Sequence, residues 1–143
     1  MHADAMDKEE RMGGEPWHHV APYQPDIASA LEALRQRVFT DGDYRGSEEE
    51  PASIEEALEN MDADGTASIL DIDHVADHPE PMGVTVLTPS EAKEYFGTER
   101  PTRADVEQAE DFWEDIGRGE ARCVVLYNDD RPSELYFAGY SFD

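Results

Sequence analysis

Residues 122–142 read RCVVLYNDDRPSELYFAGYSF, and this stretch decides the fold class. Two runs rich in β-branched and aromatic side chains, Arg122 to Tyr127 and Glu134 to Phe142, flank the polar segment Asn128, Asp129, Asp130, Arg131 and Pro132. That is the pattern of a β-hairpin, with a turn of about five or six residues. Alternation along the second strand puts Tyr136, Tyr140 and Phe142 on one face and Phe137 on the other. One face has to be core. The aromatic side chains of the other face, with Tyr127, are candidates for a partner surface if helices cover a single side, and are core if helices or terminal segments cover both.

Working back from the hairpin, Thr102 with Asp105 opens a helix in which Val106, Ala109, Trp113 and Ile116 share one face until Gly117. Before it, Thr88, Pro89 and Glu91 supply a cap, a first-turn proline and a capping-box acid, predicting a helix that ends at Phe96 with Gly97 as its stop. Val84, Val86 and Leu87 allow a short strand. An earlier strand is expected over Ala67, Ile69, Leu70 and Ile72, after a turn at Asp64 and Gly65, with His74 to Met82 irregular because of Pro79 and Pro81.

Further upstream, Ser53 and Glu56 make a capping box for a short helix whose inward face is Ile54, Ala57, Leu58 and Met61. The polar run Asp41 to Pro51, with Glu48, Glu49 and Glu50, reads as a solvated loop. Ile27, Leu31, Leu34 and Val38 recur at helical spacing from Pro25 to a stop before Gly42. Trp17 to Val20 is read as a short strand or anchoring segment. Met1 to Gly14, charged and aperiodic, is expected to be a disordered leader. Residues 15–143 then form one α+β domain: a small antiparallel sheet ending in the C-terminal hairpin, with about four helices packed on one face. Neither an alternating βαβ run nor an internal repeat is legible, which argues against a doubly wound sheet or a solenoid.

The chain has 143 residues, 35 of them Asp or Glu against 11 Lys or Arg, for a formal net charge of −24. A surface of that sign repels nucleic acid and anionic membrane, so neither is an expected partner. Lysine is confined to Lys8 and Lys93, and the remaining cations are arginines. Abundant carboxylate with scarce lysine suits concentrated salt, where the Debye length falls from about 10 Å at 0.1 M to about 3 Å at 1 M and self-repulsion is screened. The same bias arises from the codon usage of a high-GC genome. The single Cys123 excludes an internal disulfide and a CxxC zinc site and fits a reducing, cytoplasmic compartment. The N-terminal residues carry no secretory apolar run, and no stretch is long and apolar enough for a membrane span.

Asp71, Asp73, His74, Asp77 and His78 make the densest cluster of candidate metal ligands. In a strand, Asp71 and Asp73 would share a face, and a neighbouring histidine would complete a divalent-cation site. Yet composition alone fills the loops of this chain with acids, and the spacing matches no metal motif. The run from Asp62 fails as a calcium loop, having Ala67 where the turn needs glycine and Asp73 where the motif has Glu; the run from Asp41 fails at Arg45 and Ala52. Adjacent His18 and His19 diverge too far to chelate, and Cys123 sits among apolar neighbours that suit a buried thiol. No phosphate loop, nucleophile elbow or other catalytic signature is present, and no cofactor is expected.

The segments PYQPDI (22–27) with the following ALEALR, GTASILDID (65–73), FGTERPT (96–102) and the closing FAGYSFD resemble a family of small acidic proteins of high-GC bacteria. The likeness covers most of the chain after Trp17. It implies a single domain and brings no activity or catalytic residues with it.

Three functional readings follow. The first is a non-catalytic cytoplasmic protein that binds a basic protein partner, in the manner of an immunity protein or a nucleic-acid mimic. The second is a salt-adapted protein whose acidity belongs to its surroundings. The third is a small divalent-metal-dependent protein using the Asp71 to His78 segment.

Overall fold

The computed structural model describes residues 14–142, so the expected leader, Met1 to Gly14, lies outside the described residues except for Gly14. Five strands, β1 (Pro16–Pro22), β2 (His74–Ala76), β3 (Gly83–Val86), β4 (Ala121–Asn128) and β5 (Arg131–Tyr140), form one sheet in the order β1-β5-β4-β3-β2. Five α-helices accompany it: α1 (Ile27–Asp41), α2 (Ile54–Met61), α3 (Pro89–Phe96), α4 (Arg103–Gln108) and α5 (Glu110–Glu114).

The sheet is mixed, not antiparallel throughout. β1–β5 and β4–β5 are antiparallel, whereas β2–β3 and β3–β4 are parallel. α3, α4 and α5 lie between β3 and β4, and a helical crossover of that kind returns the chain in the same direction. A βαβ unit is therefore present where none was expected. β2 and β3 are joined by Asp77 to Met82 alone, and His74 pairs with Gly83. The early strand is displaced relative to expectation: Ile69–Asp71 is a 3-10 turn capped by the Ser68 side chain, and the strand begins at His74, inside the segment that the two prolines had marked as irregular.

The hairpin is tighter than its sequence suggested. Asn128 pairs with Arg131, leaving Asp129 and Asp130 as a two-residue turn with φ of 52° and 65°, the left-handed pair that a type I′ turn requires. Pro132 is accommodated by a register shift beside Leu126 and Tyr127 that leaves Ser133 as the extra residue.

Both faces of the sheet are covered, in place of the single covered face expected. On one, α1 packs Leu31, Leu34 and Val38 against Trp17, Ile69, Leu70, Ile72, Leu135 and Phe137. On the other, Val106, Phe112 and Ile116 pack with Val124, Leu126 and Tyr136. Trp17 lies across Gly139, its partner in the β1–β5 register, where a Cβ would collide with the indole and stand 2.7 Å from the Glu120 carbonyl oxygen.

Helix ends follow local chemistry. Asp26 accepts from Ser29 N at the start of α1, and Gly42 ends it. Thr88 and Glu91 bond reciprocally at the start of α3, which runs to Phe96. The Ser53 side chain caps α2 through Glu56 N, but the Glu56 carboxylate accepts from Ala52 N and not from the cap residue itself. The last expected helix is broken at Ala109 into α4 and α5. The Trp113 indole donates to the Val106 carbonyl at 3.1 Å, taking the acceptor that a continuing helical turn would use, and the break lets Phe112 become fully buried.

Candidate functional site: an acid-lined pocket and groove

GTASILDID folds as a tight turn around one carboxylate. Asp71 Oδ1 accepts from Thr66 N at 2.7 Å and from Thr66 Oγ1 at 2.8 Å. With its proton committed to Asp71, the Thr66 hydroxyl accepts from Ser68 Oγ at 2.8 Å, and Ser68 Oγ accepts from Leu70 N. Asp71 is 5% exposed, and its second oxygen, Oδ2, is buried without a hydrogen-bond partner. Burial holds this carboxyl above the usual carboxylate range, against the opposing pull of the Thr66 hydrogen bonds.

Oδ2 lies beside Gly65, where an added Cβ would stand 2.8 Å from it; Gly65 has φ of +77°, so close approach and a left-handed backbone both call for glycine. Gly65 and Asp71 line a cavity of about 150 Å³ with Leu58, Asp62, Leu70, Asp73, Met82 and Phe142. Its walls are mostly apolar, three carboxylates border it, and no Lys, Arg or His is among the lining residues. Asp62 and Met82 hold φ of 46° and 67° at its rim.

Leu58 and Asp73 also border a wider, open groove of about 690 Å³ between α1 and α2. Glu32, Glu55 and Asp73 supply its acids, and Arg35 is a lone cation among its lining residues. Arg35 Nη2 donates to the Leu70 carbonyl at 3.0 Å, and burial lowers its pKa against the neighbouring carboxylates of Glu32, Asp73 and Asp71. Pocket and groove thus share a wall, and carboxylates outnumber cations along both.

The candidate metal ligands do not converge. Asp71 is held in the Thr66–Ser68 turn, whereas Asp73 just before β2, His74 in β2, and Asp77 and His78 in the β2–β3 connection pair with one another and with Glu80. His74 Nδ1 contacts Asp73 Oδ1 at 2.6 Å and Nε2 contacts Glu80 Oε2 at 2.5 Å; His78 Nδ1 contacts Asp77 Oδ1 at 2.7 Å and Nε2 contacts Glu80 Oε1 at 3.0 Å. These carboxylates, Asp73 first for His74 and Asp77 first for His78, raise both imidazole pKa values. Among the described residues no group of three or more His, Cys, Asp or Glu is placed to hold a metal ion.

The aromatic candidates divide. Tyr136 is fully buried, stacked on His18 at 5.1 Å and set edge-on to Trp113. Tyr140 also meets Trp113 edge-on, and Tyr127 is half-buried at the hairpin end. Phe142 alone of the four lines the acidic pocket. Cys123 is buried, which pushes its thiol up to about 12, and His19, buried beside Trp17, is pulled down to about 4.

Sequence reasoning named Asp71 and Asp73 together as candidate metal ligands and Phe142 apart from them among the aromatic candidates; it read Gly65 only as a turn residue and gave Met82 no role in a site. One signal was available. Ser68 and Asp71 stand in the S-x-x-D spacing of a helix start within an apolar run, which marks a carboxylate turned back onto the backbone instead of out to solvent. For Met82 no sequence signal exists, because its place depends on the β2–β3 pairing. Compared with protein-family models, curated proteins and solved structures, the chain matches none.

Proposed function

We propose that this is a non-catalytic acidic binding protein of the cytoplasm, whose groove between α1 and α2 takes a basic protein partner in the manner of an immunity protein or nucleic-acid mimic. The observation that carries this reading is the acid-lined pocket opening beside an acid-rimmed groove. Oppositely charged partners are steered to such a concave site and oriented there.

Fluorescence anisotropy with a labelled arginine- and lysine-rich peptide tests the reading. Glu32→Lys with Glu55→Lys weakens binding by about tenfold or more, whereas the same charge change at Glu94 and Glu110, exposed on α3 and α5, leaves a much smaller effect. Equal losses from both pairs would mean that the peptide senses net charge alone, and the groove reading would fall.

A second reading, salt adaptation, draws support from the spread of exposed acids over every helix and the hairpin turn, among them Glu59, Glu94, Glu107, Asp111 and Asp129. Thermal melts in a KCl series decide it: screening raises the midpoint steadily toward molar salt, and a midpoint indifferent to salt removes the reading.

A further inference from the structure

We infer that the β2–β3 connection is a proton-operated clasp: with His74 and His78 both doubly protonated it holds β2 against the sheet, and loss of either proton lets β2 and the connection come away from β3. The inference goes beyond the proposed binding function and does not depend on it.

The count of donors carries it. Each imidazole touches two carboxylates: His74 reaches Asp73 Oδ1 at 2.6 Å and Glu80 Oε2 at 2.5 Å, and His78 reaches Asp77 Oδ1 at 2.7 Å and Glu80 Oε1 at 3.0 Å. An ionised carboxylate only accepts, a neutral imidazole has one N–H, and an imidazolium has two. All four contacts are therefore hydrogen bonds only while both rings are charged. Glu80 gives one oxygen to each ring, so the two protonations act on the same strap. Losing either proton turns a bare nitrogen lone pair toward a carboxylate.

Little else closes the connection. Parallel neighbours ordinarily need a crossover of about a dozen residues or more, yet only Asp77 to Met82 separate β2 from β3. Asp77, His78, Pro79, Pro81 and Met82 are exposed and Glu80 is half-buried, so closure draws little on apolar burial. β2 has three residues, and the backbone bonds beside it run from Asp73 N to the Met82 carbonyl, from Met82 N to the Gly119 carbonyl and from Gly83 N to the Glu80 carbonyl. Gly83 leaves room for the clasp: an added Cβ would stand 3.0 Å from His74 Nε2 and 3.1 Å from Glu80 Cγ.

The other charged groups around it are Asp71 in the preceding turn, Glu32 and Arg35 on α1, with Arg35 near Asp73, and Arg118 and Glu120 on the segment whose Gly119 carbonyl takes Met82 N. Glu120 is turned to Arg122 at 3.2 Å. The touching carboxylates prevail, Asp73 first for His74 and Asp77 first for His78, and raise both imidazole pKa values. The clasp is thus complete below the ordinary histidine value of about 6.5 and is lost as pH rises through the raised values.

The test is amide hydrogen exchange, followed by NMR on the full chain at fixed KCl with EDTA, corrected for intrinsic rates, at pH 6 and pH 8.5. Protection at Asp73 and Met82 falls by about fivefold or more at the higher pH relative to protection at Leu87, whose N–H bonds the Cys123 carbonyl across the β3–β4 pair. His74→Gln with His78→Gln, which does not titrate, abolishes the pH dependence of that ratio. Glu80→Gln lowers the titration midpoints of both rings, read from their C–H resonances, because one carboxylate serves the two. A ratio in the parent that is the same at both pH values, a ratio that still moves in the double variant, or a Glu80→Gln variant that fails to shift both midpoints overturns the inference.

Discussion

Replacing Asp71 by Asn and by Ala separates its two oxygens. Asp71→Ala removes the acceptor for Thr66 N and Thr66 Oγ1, both buried, with bonds of 2.7 and 2.8 Å. Bonds to a charged acceptor are worth about 1.5–3 kcal/mol each, and a buried N–H left unsatisfied costs about 1–3 kcal/mol. The Thr66 hydroxyl can turn toward Ser68, and the penalty for burying the charge disappears, so a net loss of about 2–4 kcal/mol is expected. For a domain of this size that corresponds to roughly 4–16 °C in the melting midpoint.

Asp71→Asn keeps an oxygen for both Thr66 donors and removes the buried charge. Its stability at pH 7 stays within about 1 kcal/mol of the parent or exceeds it. The pH dependence has a definite sign. Burial raises the folded pKa of Asp71 above that of the unfolded chain, so the parent is favoured most below the ordinary carboxylate range, near pH 4. It loses that advantage as pH rises through the raised folded value. Asn does not titrate, so the stability of Asp71→Asn relative to the parent increases from pH 4 toward neutrality. Urea unfolding at fixed KCl, at pH 4.5, 6 and 7.5, reads all three proteins. Equal losses for the Ala and Asn variants, or a parent-to-Asn difference that does not move with pH, would refute the assignment of Oδ1 as the working oxygen and Oδ2 as the isolated one.

Three other outcomes can be measured. Gly139→Ala costs about 1–3 kcal/mol by overpacking, and combining it with Trp17→Ala costs less than the sum because the collision partner is gone; strict additivity in urea melts would contradict the packing of Trp17 on Gly139. Asp130→Gly relieves the left-handed residue of the hairpin turn and stabilises by about 0.5–1 kcal/mol in 1 M KCl, where charge loss is screened; a destabilised variant would argue against the two-residue turn. In an NMR pH titration His74 and His78 titrate above 6.5 and His19 near 4; a His19 titrating with the exposed histidines would mean that it is not buried as described.

The parts of the fold legible in the sequence are those fixed by neighbours a few residues apart. Thr88, Pro89 and Glu91 mark the start of α3 and Gly97 its end, because capping and backbone chirality act within one turn. The spacing of Ile27, Leu31, Leu34 and Val38 gives α1 for the same reason. The parallel pairs were not legible: β2 and β3 have only three and four residues, and Pro79 and Pro81 suppress the local strand signal while leaving His74 to Ala76 free to pair. The helix break at Ala109 depends on an indole reaching a carbonyl seven residues back, which apolar periodicity does not encode. Asp71 looked like any other acid of an acidic chain because its burial comes from the turn around Thr66 and Ser68 and from strands far away in sequence.

The pairing of β1 with β5 has a consequence for biosynthesis. Pro16 meets Tyr140 and Trp17 meets Gly139, so β1 finds its hydrogen-bonding edge only after β5 has been made. Trp17 therefore stays unsheltered while the chain is being translated, and the apolar side of α1 lacks Leu135 and Phe137 until the same moment. Joining ends so distant along the chain is slow relative to local helix formation. The sheet therefore cannot close before β5 has emerged from the ribosome, and nascent chains stalled before β5 are the form most exposed to chaperones and proteases.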